Sequence, residues 1–131
     1  MRKTFMLLLI AAASAHFSAQ ALADENTRYG YCYTPAKKDD RKAMIFTSVF
    51  EEPTRFAASG KRRGLNGIEQ NAYRIKFADA AQAKFPDWKI DAVNGGCPMH
   101  FASKRDVQRD VDEGISNHIR YGYVFLMEWR P

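Results

Sequence analysis

Tyr29, Tyr31 and Tyr33 alternate along one short run, Lys61, Arg62 and Arg63 stand together between glycines, and Cys97-Pro98-Met99-His100 places two sulfur atoms beside an imidazole. Each group offers a different chemistry. In an extended segment every second side chain shares a face, so the three tyrosines present their rings together while Gly30 and Cys32 point the other way. Aromatic rings on an open face stack on sugar rings, bases or a second subunit, and such a face would be a binding surface. The other use of the same rings is to fill a core, with the tyrosine hydroxyls reaching its rim. The Lys61–Arg63 cluster can grip phosphate or carboxylate groups of a ligand or an anionic envelope polymer, or simply be a solvated loop tip.

The soft ligands Met99 and His100, with the nearby Cys97, would suit copper. A full ligand set is not visible, and Cys32 offers Cys97 a simpler partner. An even number of cysteines in an exported chain reads as a disulfide, so Cys32–Cys97 is expected to be one. By the chain-entropy argument a loop of about 65 residues closed in this way stabilises the fold by roughly 4 kcal/mol.

For catalysis the residues are sparse. Ser103 is better explained as a helix cap, and Ser48 has no G-x-S-x-G context. His118 lies one step from an apolar helical stripe, where a structural role is the default. Asp106, Asp110 and Glu113 share a helical face with Lys104, Arg105 and Arg109, which is the pattern of a solvated, salt-bridged surface, with Arg109 and Glu113 as one expected pair. Phosphate-loop, dinucleotide and zinc-protease motifs are absent, so no cofactor is expected.

These residues follow an amino terminus built for export. Arg2 and Lys3 precede an apolar stretch from about Phe5 to Ala13, and Ala21-Leu22-Ala23 has the form of a cleavage site. The stretch is too short to span a bilayer, which takes roughly 20 apolar residues. Residues 1–23 are therefore read as a cleavable signal peptide and 24–131 as one small domain, periplasmic or secreted, with no transmembrane segment left after cleavage. The signal carries Arg2 and Lys3 but no acid, so its loss lowers the formal charge by two, from +5 to +3. That is too mild to argue for nucleic acid.

The elements that must position the groups follow from periodicity. Thr27 to Pro35 reads as a β-prone run closed by proline, Lys37 to Arg41 as a polar turn, and Ala43 to Phe50 as a second strand. Leu65, Ile68, Ala72, Ile75, Ala78, Ala81 and Phe85 recur at steps of three and four, predicting an amphipathic helix stopped by Pro86. Trp88, Ile90 and Ala92 alternate as a third strand up to Asn94-Gly95-Gly96. Ser103 caps a second helix carrying Val107, Val111, Ile115 and Ile119, with Gly122 as a left-handed stop. Tyr123 to Trp129 is the final, sheet-interior strand.

The order β-β-α-β-α-β predicts an α+β two-layer sandwich, a four-stranded sheet with both helices on one face. Strand parity groups Phe46 with Phe50, and Tyr123 with Phe125, Met127 and Trp129. If Ile45, Val49, Val124 and Leu126 lie under the helices, the aromatic face is left open.

The functional expectation is a non-enzymatic exported binding or accessory protein. Its partner would be an envelope or extracellular protein or a glycan, met through Tyr29, Tyr31 and Tyr33 or through Lys61, Arg62 and Arg63, and a homodimer through the aromatic sheet face fits the same pattern. The alternatives are a small hydrolase with a site that spacing does not reveal, and a copper protein using Met99 and His100.

Overall fold

The structure, a computed structural model, describes residues 27–53, 58–61 and 63–131. The expected signal at 1–23 and Arg62 lie outside the described residues. Two helices and a four-stranded mixed sheet make an α+β fold in the expected chain order, with one additional two-stranded ribbon. The ribbon joins β1 (Tyr29–Gly30) to β4 (Phe50–Glu51). The main sheet runs β5 (Lys89–Ile90), β2 (Tyr33–Lys38), β3 (Arg41–Thr47), β6 (Tyr123–Met127). β2 and β3 form an antiparallel hairpin that turns at Asp39, whose φ of 53° suits a short polar side chain. β6 lies parallel to β3, with Ile45 opposite Phe125 and Met44 opposite Val124.

The first strand does not stop at proline. Pro35 sits inside β2, where its carbonyl accepts the Asp91 N–H at 2.8 Å on the β5 side. The β2–β5 ladder covers only Ala36–Ile90 and Lys37–Lys89, so the missing proline N–H faces no ladder partner.

Helix α1 (Gly67–Lys84) is capped by Asn66, whose side chain accepts the Glu69 N–H at 2.9 Å. Its buried face is Tyr73, Phe77, Ala78 and Ala81. The expected stripe is therefore rotated: Ile68 is 83 % exposed and Ile75 is 42 % exposed. Aromatic rings bury more area than an isoleucine, and the spacing of Tyr73, Phe77 and Ala81 sets the phase. Helix α2 (Lys104–His118) starts as expected, with Ser103 Oγ accepting the Asp106 N–H at 3.1 Å. Val107 and Val111 are buried, whereas Ile119 lies beyond the helix end and is exposed.

The helices do not share a face of the sheet. Tyr73, Phe77 and Ala81 of α1 pack with Ala36, Ala43, Ile45 and Met127, and the Cys32–Cys97 disulfide lies in the same cluster. Val107 and Val111 of α2 pack with Tyr31, Met44 and Phe46. Ala43 and Ile45 point to one side of β3 and Met44 and Phe46 to the other, so the sheet is sandwiched between the helices. Both faces of β3 are apolar, and a strand of that kind needs cover on both sides. The grouping of Tyr123 with Phe125, Met127 and Trp129 holds on the α1 side, where Trp129 meets Phe77 at 5.4 Å and Phe85 stacks on Phe125 at 5.0 Å. Phe46 and Phe50 separate: β3 ends at Thr47, and the break at Ser48-Val49 changes the parity before Phe50 joins the α1-side cluster.

Gly122 is not a left-handed cap, since Gly60 is the one glycine with positive φ among the described residues. A Cβ there would lie 2.3 Å from the Lys42 carbonyl oxygen, so glycine is what lets the start of β6 close on β3.

Candidate functional site

The disulfide and the tyrosines occupy neighbouring places for a common reason. The segment from Gly96 to Phe101 runs beside residues 29–33, with Tyr33 N–H donating to Gly96 O at 2.8 Å, Tyr31 N–H to Pro98 O at 3.1 Å and Tyr29 N–H to Phe101 O at 2.9 Å. That pairing brings Cys97 to Cys32, Cα to Cα 4.0 Å. On the opposite side Tyr29, Tyr31 and Tyr33 share the α2-side cluster, Tyr31 only 5 % exposed. The Tyr31 hydroxyl donates to Asp110 Oδ2 at 2.7 Å. Burial, followed by this bond to a carboxylate, pushes the phenol well above its ordinary pKa near 10. The Tyr31 ring is core under α2 with its hydroxyl at the rim, and Tyr29 and Tyr33 are partly buried beside it, so these three tyrosines do not form an open platform.

The segment Cys97–His100 is divided in the same way. Cys97 is in the disulfide, Met99 is buried in the α1-side core, and His100 is turned outward with φ 81°. His100 Nδ1 stands 3.7 Å from Oε1 of the buried Glu52, which also accepts the Leu65 N–H at 3.0 Å, and its Nε2 contacts the Gln70 side chain. Sequence reasoning missed Glu52, because an acid in a Glu-Glu-Pro loop reads as solvent-facing. Through these two contacts His100 ties its own segment to Glu52 and to α1. Met99 and His100 are thereby kept apart, and no group of three or more His, Cys, Asp or Glu placed to hold a metal occurs among the described residues.

Two other candidates for catalysis fall in separate places. Ser48 Oγ donates to Glu128 at 2.9 Å in an exposed hollow whose lining holds no histidine. His118 Nδ1 donates to the Gly114 carbonyl at 2.8 Å, since a carbonyl can only accept, and its ring stands edge-on to Phe46. Arg109 pairs with Asp106 at 3.1 Å instead of Glu113. In the Lys61–Arg63 loop, Arg63 is bound to Glu69 at 2.7 Å and Lys61 is exposed.

A site that no motif announces lies where α2 ends short of the sheet. A hollow of about 650 Å³ opens there over the hairpin end of β2 and β3, with His118, Val93 and Tyr121 around it. Lys37 is directly opposite Lys42 on β3 and directly opposite Lys89 on β5. All three lysines line the hollow, in one row across three strands, with neighbouring strands roughly 4.8 Å apart. Pro35 and Met44, one step further along the same face, form an apolar floor.

Like charges directly opposed on a sheet are destabilising by up to about 1 kcal/mol. No salt bridge to any of the three is found among the described residues. Asp91 is close enough to feel Lys37, but its carboxylate is taken up by the Asn94 side chain and the N–H groups of Asn94 and Val93, which hold it below the usual carboxylate range. The carboxyl end of α2 adds at most about half a negative charge. Lysine is common as a guard on edge strands, yet Lys37 and Lys42 are on the two inner strands. The signal in the sequence was present but unreadable without the register. Lys37, Lys42 and Lys89 become neighbours only once β2, β3 and β5 are paired.

No protein family, characterised protein or solved structure matches this chain. No helix among the described residues is long and apolar enough to cross a membrane.

Proposed function

We propose that this chain is an exported, non-enzymatic binding protein of the periplasm or extracellular space, and that the lysine row of Lys37, Lys42 and Lys89 is where it meets an anionic ligand. The observation that carries this reading is the row itself: three ammonium groups opposed across two inner strands and the edge strand β5, none in a salt bridge among the described residues, at the edge of an apolar floor. A fold bears such repulsion when a ligand of opposite charge relieves it. The Cys32–Cys97 disulfide and the signal-like amino terminus support export. The hydrolase and copper readings gain no comparable support, since the histidines, Ser48 and Met99 fall in separate places with their polar groups engaged or their side chains buried.

Two measurements test it. Mass spectrometry of the exported protein should find a chain beginning at Asp24 and lighter by two hydrogens than its reduced form; an intact Met1 would remove the export claim. Titration with tripolyphosphate, followed by backbone amide NMR, should shift Lys37, Lys42 and Lys89 together and saturably. Shifts confined to Lys61 and Arg63, or none at all, would dismiss the row as the site.

A further inference from the structure

The rim of the lysine hollow carries a feature that an ordinary anion site has no use for. Val93 and Tyr121 stand on it with 80 % and 81 % of their surface exposed, and Tyr123 also lines it, half exposed. Ile119, two residues before Tyr121, is exposed as well. Val93 comes from the connection between β5 and α2, Tyr121 from the connection between α2 and β6 in which Ile119 also lies, and Tyr123 from the start of β6; Val93, Tyr121 and Tyr123 gather around the positive row. A small anion seated in the hollow would contact the lysines, Pro35 and Met44. It would leave Val93 and Tyr121 in water, because side chains so exposed are covered only by a partner that extends past the rim.

Resting on the anion-binding reading above, we infer that the hollow docks the chain on the surface of an anionic phospholipid bilayer. Lys37, Lys42 and Lys89 meet the phosphate headgroups, and Val93, Ile119 and Tyr121 enter the interfacial layer beside them. Each component fits that medium. Lysine reaches headgroup phosphates from an apolar base by extending its methylene stem. Tyrosine is amphipathic and prefers the headgroup level. Valine and isoleucine gain from leaving water, and an apolar projection ringed by cations is the arrangement that interfacial binding requires. A polyanionic glycan would satisfy the lysines and could stack on Tyr121, but it gives Val93 and Ile119 nothing apolar to enter. Attachment of this kind is peripheral and reversible.

The test is co-sedimentation of the protein, recovered from the extracytoplasmic fraction, with vesicles of equal parts phosphatidylcholine and phosphatidylglycerol, against vesicles of phosphatidylcholine alone. Binding to the anionic vesicles only is expected, weakening as salt shortens the screening length from about 10 Å at 0.1 M to about 3 Å at 1 M. Each lysine near an anionic surface contributes about 1 kcal/mol, so K37Q, K42Q or K89Q should lower partitioning about fivefold, and the triple variant roughly a hundredfold. V93S with Y121S, which removes apolar surface without adding charge, should lower vesicle binding at least tenfold while tripolyphosphate binding still follows the lysines. Lysine-dependent binding of tripolyphosphate or an anionic glycan without vesicle binding, or vesicle binding indifferent to V93S and Y121S, would overturn the membrane inference and leave the anion reading standing. Binding to none of these would overturn both. Circular dichroism of each variant separates lost binding from lost fold.

Discussion

The two faces of the central sheet are built from the same strands and closed to different degrees. On one, α1 lies over Ala36, Ala43, Ile45 and Met127, the disulfide sits in the same cluster, and Phe85, Trp88, Phe125 and Trp129 pack around its edge. On the other, α2 seals Tyr31, Met44 and Phe46 and then stops, leaving the hairpin end to Lys37, Lys42 and the hollow. The first face uses its side chains to hold the chain together. The second spends part of its length on charges that work against the fold. The closed face holds the larger share of the buried apolar side chains, and the proposed binding row lies where the cover of the other face ends.

The contrast is sharpened most by paired truncations. Phe77 is fully buried on the α1 side and Val107 fully buried on the α2 side. Removing a buried phenylalanine ring typically costs 3–5 kcal/mol, so Phe77→Ala should destabilise by about 4 kcal/mol. Val107→Ala loses two carbons, at roughly 0.8 kcal/mol each plus a cavity contribution, or about 2 kcal/mol. Urea denaturation of both variants checks this. A loss at Val107→Ala well above that expected for its two carbons would mean that the α2 face is as rigidly held around its core as the other.

The sequence discloses elements more readily than faces. Ser103 announces α2, Pro86 follows the end of α1, and the alternation of Tyr29, Tyr31 and Tyr33 with Cys32 survives in the structure, because each is a local property of a few residues. The placement of the helices on opposite faces is not local. It depends on Met44 and Ile45 both being buried, and an apolar run such as Ala-Met-Ile-Phe reads the same for a strand covered once or twice. The phase of α1 is ambiguous for a related reason: its two aliphatic positions Ile68 and Ile75 compete with Tyr73 and Phe77, and tertiary packing chooses the aromatics. The lysine row is the extreme case. Its members are dispersed between positions 37 and 89, and only strand register assembles them.

A middle-sized effect probes how α2 is held at the point where its cover is complete. The Tyr31–Asp110 bond ties the link between β1 and β2 to the helix, and bonds to charged groups contribute roughly 1.5–3 kcal/mol. Tyr31→Phe should cost about 1.5 kcal/mol, measured by thermal unfolding near neutral pH. The same tyrosine gives the protein an alkaline limit. Its folded pKa is raised above an ordinary value near 10, so the bond's contribution is fully present below pH 10. It declines as pH rises above that, because the unfolded phenol ionises while the folded one keeps its proton. Tyr31→Phe should flatten this alkaline decline. If the variant and the parent lose stability in parallel above pH 10, the hydroxyl is not what ties α2 down.

The smallest expected effect has the opposite sign and bears most directly on why the second face is left open. Lys37 stands between Lys42 and Lys89, so Lys37→Glu converts two repulsive cross-strand contacts into two attractive ones. At 0.2–1 kcal/mol for each such pair, the variant should be more stable than the parent by about 0.5–1 kcal/mol at low salt, and the difference should shrink as salt screens both arrangements. The same variant should lose its response to tripolyphosphate. A stabilising substitution that removes binding is the signature of a residue held against the interest of the fold, as functional residues often are. A destabilised Lys37→Glu would instead mean that the lysine stem supports the floor of Pro35 and Met44 through packing, and the row would then be a structural feature of the hairpin end.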